Sequence, residues 1–600
     1  MTFTLDGQNA INDTNNGKVS TSDSTGKMSA FQLTVPKQEI GGNWNGMTIF
    51  ITSAPGEGEL ATNGDLDISR YKVWKSQQKQ SHYSHTFFKN VIPVAIDPID
   101  DREEGGITER YDVLRNANKK FAEFLFDTAT WEADVGHLSS NFFKTLPTPK
   151  GATPKLFEDD EWFTNFLLRG PDPTTLELAS PKIIFPQSLL DILKQSNEIE
   201  GFTRDLNNGK IFHVDFSRYS NVKSSGRFAS WPHAVFRSNK NSNNGYKLEP
   251  VAITLIPPGH DDQEITLLAG KNHNFCSWNT AKRVFLSAAA NYHELATHLG
   301  RTHLVMERFA LATYRQLPPW HPVGRLLRPH FKFMVATNNE AFKKLINEGG
   351  PIDKTFMASA DSLSAIAIDA FKSWELNVHG GIESDLERRG LLNNTNLPFW
   401  PYKDYGLKLY KVIHSFVNSY LRLWYAADGM QLNNDVALKN WRKVLREDYK
   451  AAALMSENAS FEDLVTACTN IIWTCGPQHS AVNYSQYDFL ADGNTLPFCI
   501  QQAPNKAFTP TRSQIGDQAE VIARLSLFQY DKLGDYSTQS FLTEYGDLGD
   551  KNQPWQTCIK NFQTELTTLA KSQKVKAGDD WGIWDYPFLN PELIANSISI

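Results

Sequence analysis

The chain has 600 residues, of which 12% are aromatic, enough for a sizeable core. The length alone allows about four domains of ~150 residues, although one large helical unit fits as well. Sixty Lys and Arg stand against 67 Asp and Glu, a mildly acidic balance that removes any general electrostatic reason to bind nucleic acid or anionic lipid. The five cysteines, Cys276, Cys468, Cys475, Cys499 and Cys558, are odd in number and lack metal-finger spacing, so they read as reduced thiols of a cytoplasmic protein.

The first residues, MTFTLDGQNA, show no basic region followed by an apolar run, and no stretch of ~18 apolar residues occurs anywhere. Neither a secretory signal nor a membrane span is expected. Residues 1–27 are rich in Asn, Asp, Thr, Ser and Gly and are expected to be disordered. Residues 28–109 form an N-terminal extension with short strands, one of them in MTIFITSA at Met47. From Glu109 to Phe126 the charged and apolar residues alternate at helical spacing, predicting an amphipathic helix. Between Gly201 and Gly270 the pattern becomes two-residue alternation in GKIFHVDFSRY, AVFRSNK, KLEPVAITLIPP and EITLLAG. With Gly, Asn and Pro between the runs, this predicts a small antiparallel sheet packed on a helical body. From Trp278 onward helices dominate, interrupted by proline-rich joints at PPWHP and LPFWPY. No internal repeat is visible.

The most informative stretch runs from Asn291 to Leu317, where His293, His298 and His303 recur every fifth residue. In a regular α-helix residues five apart are rotated by about 140° and cannot face one ion. If the helix widens into a π-type turn of about 4.4 residues, the offset falls to roughly 50° and His298 and His303 share a face. Three histidines on a half-buried helix could equally serve hydrogen bonds alone. A second helix, Ser460 to Tyr487, carries His479 and Asn483 four apart on one face, and the chain ends in NPELIANSISI, whose apolar character suits a buried end with its carboxylate turned inward. The run HELATH also invites comparison with the His-Glu-x-x-His of zinc proteases. Thr297 stands where their second histidine belongs, which excludes that reading.

Three separated motifs resemble the lipoxygenase family: HELATHLGRTHLVMERFALATYRQLPPWHPVGRLLRPH from His293, HSAVNYSQY from His479, and the terminal NSISI. The likeness extends over most of the chain from about Arg110, through DDEWFTNFLLRGPDP near Asp159 and WNTAKRVF at Trp278. It implies a mainly helical catalytic domain over 110–600, with a small antiparallel β subdomain and a π-bulged metal-binding helix. It further implies non-haem iron held by His298, His303, His479, Asn483 and the Ile600 carboxylate, with manganese as an alternative ion. His293 matches a family histidine that is not a ligand. Many plant and animal members carry an N-terminal β-sandwich for lipid docking. The segment before Arg110 is short and polar for one, so it is expected to be absent or reduced, as in short bacterial-type members.

The resemblance also implies the chemistry, which is insertion of dioxygen into polyunsaturated fatty acids with a cis,cis-1,4-pentadiene to give hydroperoxides. The hydrogen atom is taken by a metal-bound hydroxide rather than by a protein residue. Glu294 and Gln486 fall where family members join substrate channel and metal shell by hydrogen bonds, and such partners hold ligand orientation. Leu295 matches a leucine that presses on the substrate. Ala370, on the helix expected from Ser359 to Trp374, matches the alanine or glycine that influences stereochemistry. Trp374 stands where several members have leucine, and the loop after it is one residue longer, so no carbon number is assigned. The expected partners are a polyunsaturated fatty acid and dioxygen, no nucleic acid, and peripheral membrane contact at most. The preferred fatty acid, its entry direction and the oligomeric state are not legible. A manganese-loaded enzyme and a silent lipid-binding protein are the competing functions.

Overall fold

The computed structural model describes most of residues 156–526, 531–536, 554–576 and 586–600, with interruptions such as 450–458 and 502–511, and pieces at 19–21, 30–35, 47–52, 75, 85–95 and 149–151. Near the N-terminus, strands β1 (Val19–Thr21), β2 (Ala30–Val35) and β3 (Met47–Thr52) pair antiparallel in that order, and β4 (His85–Phe88) pairs with β5 (Ile92–Ala95). The strand expected at Met47 is β3. Strand β1 lies within the stretch expected to be disordered, and the helix expected over 109–126 lies outside the described residues.

The four alternating runs between 201 and 270 form strands β7 (Ile211–Asp215), β8 (His233–Lys240), β9 (Tyr246–Leu255) and β10 (Ile265–Leu268). A two-residue strand, β6 (Glu177–Leu178), extends the sheet at the β7 edge to give the antiparallel order β10-β9-β8-β7-β6. Successive side chains of a strand leave opposite faces, and here both faces are covered. Phe212, Val214, Ala234 and Phe236 enter the main core, while Ile211 and Val235 pack with Leu189, Leu193 and Phe202 in a second, smaller one. Pro250 sits where the β8 and β9 register shifts; such a bulge tolerates a residue without an N–H, and beyond it Val251 and Ala252 both join the smaller core.

Helices make up the rest, as expected. Helix α1 (Asp160–Arg169) starts at Asp159, whose carboxylate accepts from the Glu161 and Trp162 N–H groups. Helix α2 (Trp278–Tyr292) is capped by Ser277 and runs without a break into a π-helix over His293–Leu304 and then into α3 (Val305–Gln316). Helices α4 (Met334–Lys344) and α5 (Ala360–Ser373) follow, the second packed along the π-helix. Helix α6 (Phe461–Trp473) begins with a reciprocal Ser460–Asp463 capping box. It passes through a π-turn over Thr474–Gln478 into α7 (His479–Asn483). Among the described residues no helix is long and apolar enough to cross a membrane.

Candidate metal centre

Both histidine-bearing helices depart from α geometry where the ligands must be aimed. The π-helix spans twelve residues, longer than the local bulge expected. The reason lies in the sequence, because two successive five-residue intervals, His293 to His298 and His298 to His303, keep side chains in line only if the wider winding is sustained. His293 and His298 accordingly stack at 5.9 Å with an 11° interplanar angle. The second π-turn contains Pro477, which has no N–H to give to a regular helix. The wider turn absorbs that loss one residue pair before His479.

The outcome is a buried cluster. Ring nitrogens of His298, His303 and His479 lie within 4.8 Å of one another, and the three residues are 4%, 5% and 0% exposed. Nε2 of His298 and Nε2 of His303 are 3.2 Å apart. Two nitrogens about 2.1 Å from one ion and at a right angle to each other would stand about 3 Å apart. The separation fits a shared ion.

Neighbours set which nitrogen carries the proton. His303 Nδ1–H donates to Oδ1 of Asn338 on α4 at 2.9 Å. The Asn338 amide cannot be turned over, because its Nδ2 donates to the Glu307 carboxylate at 2.8 Å and to the His303 carbonyl at 3.2 Å. His303 therefore presents an unprotonated Nε2 to the cluster. Burial pushes the His298 imidazole below its ordinary value although Glu294 pulls the other way, so that ring is neutral. Its Nδ1 lies 3.3 Å from Glu294 Oε2 and 3.1 Å from the Gln486 amide. Burial alone would raise the Glu294 carboxyl, but His293 and His298 hold it down to about 2. His293 faces away from the cluster: its Nε2 donates to the Val482 carbonyl at 2.8 Å, bracing the π-helix against α7.

Asn483 and Gln486 test whether these residues suit a metal. The Gln486 amide nitrogen meets Asn483 Oδ1 at 3.2 Å, while Asn483 Nδ2 and Gln486 Oε1 are buried without a hydrogen-bond partner among the described residues. Amide N and O are assigned from such networks. Exchanging them in both side chains keeps the bond between the two residues and gives His298 Nδ1–H an acceptor. Asn483 then holds an unpaired carbonyl oxygen, the atom a cation would take. The donor set of three imidazoles and an amide oxygen fits a divalent or trivalent transition metal.

The chain terminus is drawn into the same region. Ile600 is 4% exposed and Ile594 and Ile598 are fully buried. The Ala595 N–H donates to Ser480 Oγ at 3.1 Å, next to His479 in the chain. On the other side the Asn596 carbonyl accepts from His330 Nδ1 at 2.7 Å, and Tyr536 holds His330 Nε2 at 3.0 Å.

The residues expected to face substrate are buried on adjoining elements. Leu295 lies on the π-helix, and Ala370 of α5 presses on Gly300, where a Cβ would come within 2.8 Å of the Ala370 Cβ. Trp374, just after α5, packs edge to face on Phe309. Asn338 and Glu307 were not singled out by sequence reasoning, since an asparagine 35 positions from its histidine belongs to no motif. A five-residue histidine spacing that demands a fixed tautomer is the one signal that could have prompted a search for them.

Fold and site together define a mainly helical protein with a buried three-histidine cluster that could hold a metal ion. A lipoxygenase family model matches residues 233–511. An allene oxide synthase-lipoxygenase protein of Plexaura homomalla is 27% identical over 75% of this chain and 45% of its own length. A linoleate 9/13-lipoxygenase of Pseudomonas aeruginosa is 27% identical over 68% of the chain and 60% of its own length. A lipoxygenase crystallised anaerobically in complex with arachidonate superposes with a TM-score of 0.74 at 23% identity, covering 96% of this chain and 88% of that one. The aligned region thus spans about half the length of these two curated relatives. The chain belongs to the lipoxygenase family.

Proposed function

We propose that the protein is a non-haem iron dioxygenase that converts polyunsaturated fatty acids containing a cis,cis-1,4-pentadiene, such as linoleate, linolenate or arachidonate, into hydroperoxides. The observation that carries this reading is the convergence of His298, His303 and His479 within 4.8 Å in the core of a lipoxygenase-family chain. His298, His303, His479, Asn483 Oδ1 and the Ile600 carboxylate would hold the metal. With three neutral rings, one amide and one carboxylate, they place little negative charge on it, which favours a strongly oxidising upper state. When bound, iron supplies the one-electron redox chemistry that removes a hydrogen atom from the carbon between the two double bonds.

The remaining work belongs to the chain. Asn338 fixes the His303 tautomer, Glu294 and Gln486 orient His298, and His293 holds the two ligand helices together. Leu295, Ala370 and Trp374 position the pentadiene and limit where dioxygen reaches it, which is a matter of orientation rather than of proton transfer. Fatty acid and dioxygen are the partners. We place the protein in the cytoplasm, where its five free cysteines stay reduced, with peripheral membrane contact as the route to substrate.

Metal analysis of purified protein separates iron from manganese, and ultraviolet absorbance of a newly conjugated diene reports turnover. Stoichiometric iron with diene formation from linoleate is expected. Metal-replete protein that forms no diene from either linoleate or arachidonate would leave only lipid binding and end the enzyme reading.

A further inference from the structure

Residues 594–596, just before the chain end, are gripped on three sides. The short segment 531–536 lies antiparallel beside them, with Lys532 opposite Ala595. The Leu533 N–H donates to the Ile594 carbonyl at 2.9 Å, and the Asn596 N–H donates to the Asp531 carbonyl at 2.8 Å. Ser480 takes the Ala595 N–H, and the Ala595 carbonyl lies so near the second π-turn that a Cβ on Gly476 would come within 3.2 Å of it. The third grip is a relay. The Asn596 carbonyl can only accept, so His330 Nδ1 carries the proton and donates to it at 2.7 Å. Burial keeps the His330 ring neutral, which leaves Nε2 to accept from the Tyr536 O–H at 3.0 Å. Tyr536 thereby closes a run of two hydrogen bonds from the segment back to the terminus, each polarising the other.

The segment has its own anchors. It turns at Gly534 (φ +85°), whose carbonyl accepts from Gln563 at 2.8 Å, and Asp531 pairs with Lys332 at 3.0 Å. Leu533 and Tyr536 are buried. What this grip fixes is register. A strand advances about 3.4 Å per residue and turns its side chains over at each step, so a one-residue slip beside Lys532 would carry the chain beyond Ala595 that far along. A metal–oxygen bond of about 2.0–2.2 Å has no such latitude. Ile600 lies four residues past Asn596, within reach of that register.

We propose that the segment 531–536 is a clamp that sets the register of the chain end, with His330 and Tyr536 as positioning residues that deliver the Ile600 carboxylate to the metal. The inference rests on the proposed function for Ile600 as a ligand. Both side chains act through the terminus and take no part in bond breaking.

The test is a double-mutant cycle on the full-length protein, read as ferrous-iron affinity by chelator competition without oxygen and, separately, as the urea midpoint of the metal-free form. His330→Leu should lower iron affinity about 10-fold. Tyr536→Phe keeps the ring beside Phe416, loses only the hydroxyl and should lower affinity several-fold, which serves if His330→Leu fails to fold. Deletion of Ile600 should lower affinity at least as far as His330→Leu. In the shortened chain neither substitution should lower it by more than a further two-fold, because the carboxylate is already out of place. A merely structural role would lower the urea midpoint equally in both chains and leave affinity alone. Unchanged affinity in Tyr536→Phe, losses that simply multiply with that of the deletion, or a deletion that leaves affinity intact overturns the proposal. The expected pattern without diene formation from linoleate would sink the dioxygenase reading and leave the clamp standing.

Discussion

Asn338→Leu is the sharpest probe of how the histidines are set. The replacement keeps the γ-branched shape and removes three hydrogen bonds at one stroke: the acceptor for His303 Nδ1–H at 2.9 Å, the donor to Glu307 at 2.8 Å and the donor to the His303 carbonyl at 3.2 Å. A neutral hydrogen bond contributes about 1 kcal/mol and one to a charged group about 1.5–3. Asn338 and Glu307 are both 0% exposed, so water cannot replace what is lost. The metal-free protein should therefore lose about 3–5 kcal/mol of stability, read from the urea midpoint. A second effect is separable from the first. Without its acceptor the His303 ring can shift its proton to Nε2 or rotate, and removal of such an orienting partner typically lowers metal affinity 10–100-fold. Competition against a chelator at fixed pH reads that loss directly. Asn338→Asp would keep the acceptor but set a second carboxylate against Glu307, so it should lose stability without the same loss of tautomer control. If Asn338→Leu destabilises the fold yet binds metal within two-fold of wild type, Asn338 is scaffold and the tautomer argument is refuted.

Gly300→Val should force the π-helix and α5 apart, since a Cβ there meets Ala370 Cβ at 2.8 Å and the Leu295 carbonyl at 3.1 Å. Overpacking of this kind costs about 1–3 kcal/mol, and adding Ala370→Gly should return part of it; equal losses in single and double variants would contradict the contact. His330 titrates near 6.5 when unfolded, whereas burial holds it at about 4 in the fold, only partly opposed by the Asn596 carbonyl. The unfolded chain therefore takes up the proton first as pH falls from about 6.5 to 4, and stability declines by about 3 kcal/mol across that window. His330→Gln should flatten this slope in denaturation curves, and an unchanged slope would remove His330 as its source. With linoleate as substrate, Ala370→Gly should alter the chirality or position of the hydroperoxide at unchanged metal content; chiral chromatography giving the wild-type product would strip Ala370 of its steering role.

Much of the architecture was legible because it follows from local periodicity. Alternation between 201 and 270 marked β7 to β10, and the five-residue histidine spacing pointed to a π-type turn as the way for His298 and His303 to share a face. Strand β6 escaped because two residues carry no period, and it exists only through pairing with β7. The helix expected from Ser460 to Tyr487 is interrupted: it widens at Pro477, ends at Asn483 and resumes only at Gln486. That proline was the available signal. Asn338 and Glu307 escaped for another reason, since their roles depend on which elements lie side by side, and no spacing along one chain encodes that.

The central claim is that one ion is gripped by rings from two π-distorted helices and by the end of the chain. Anomalous diffraction at the iron edge from crystals of the iron-loaded protein tests it most directly. A single peak is predicted about 2.1–2.2 Å from a ring nitrogen of each of His298, His303 and His479, with Asn483 Oδ1 and the Ile600 carboxylate completing the shell. A peak elsewhere, or a peak among the histidines with the Ile600 carboxylate turned away, would contradict it.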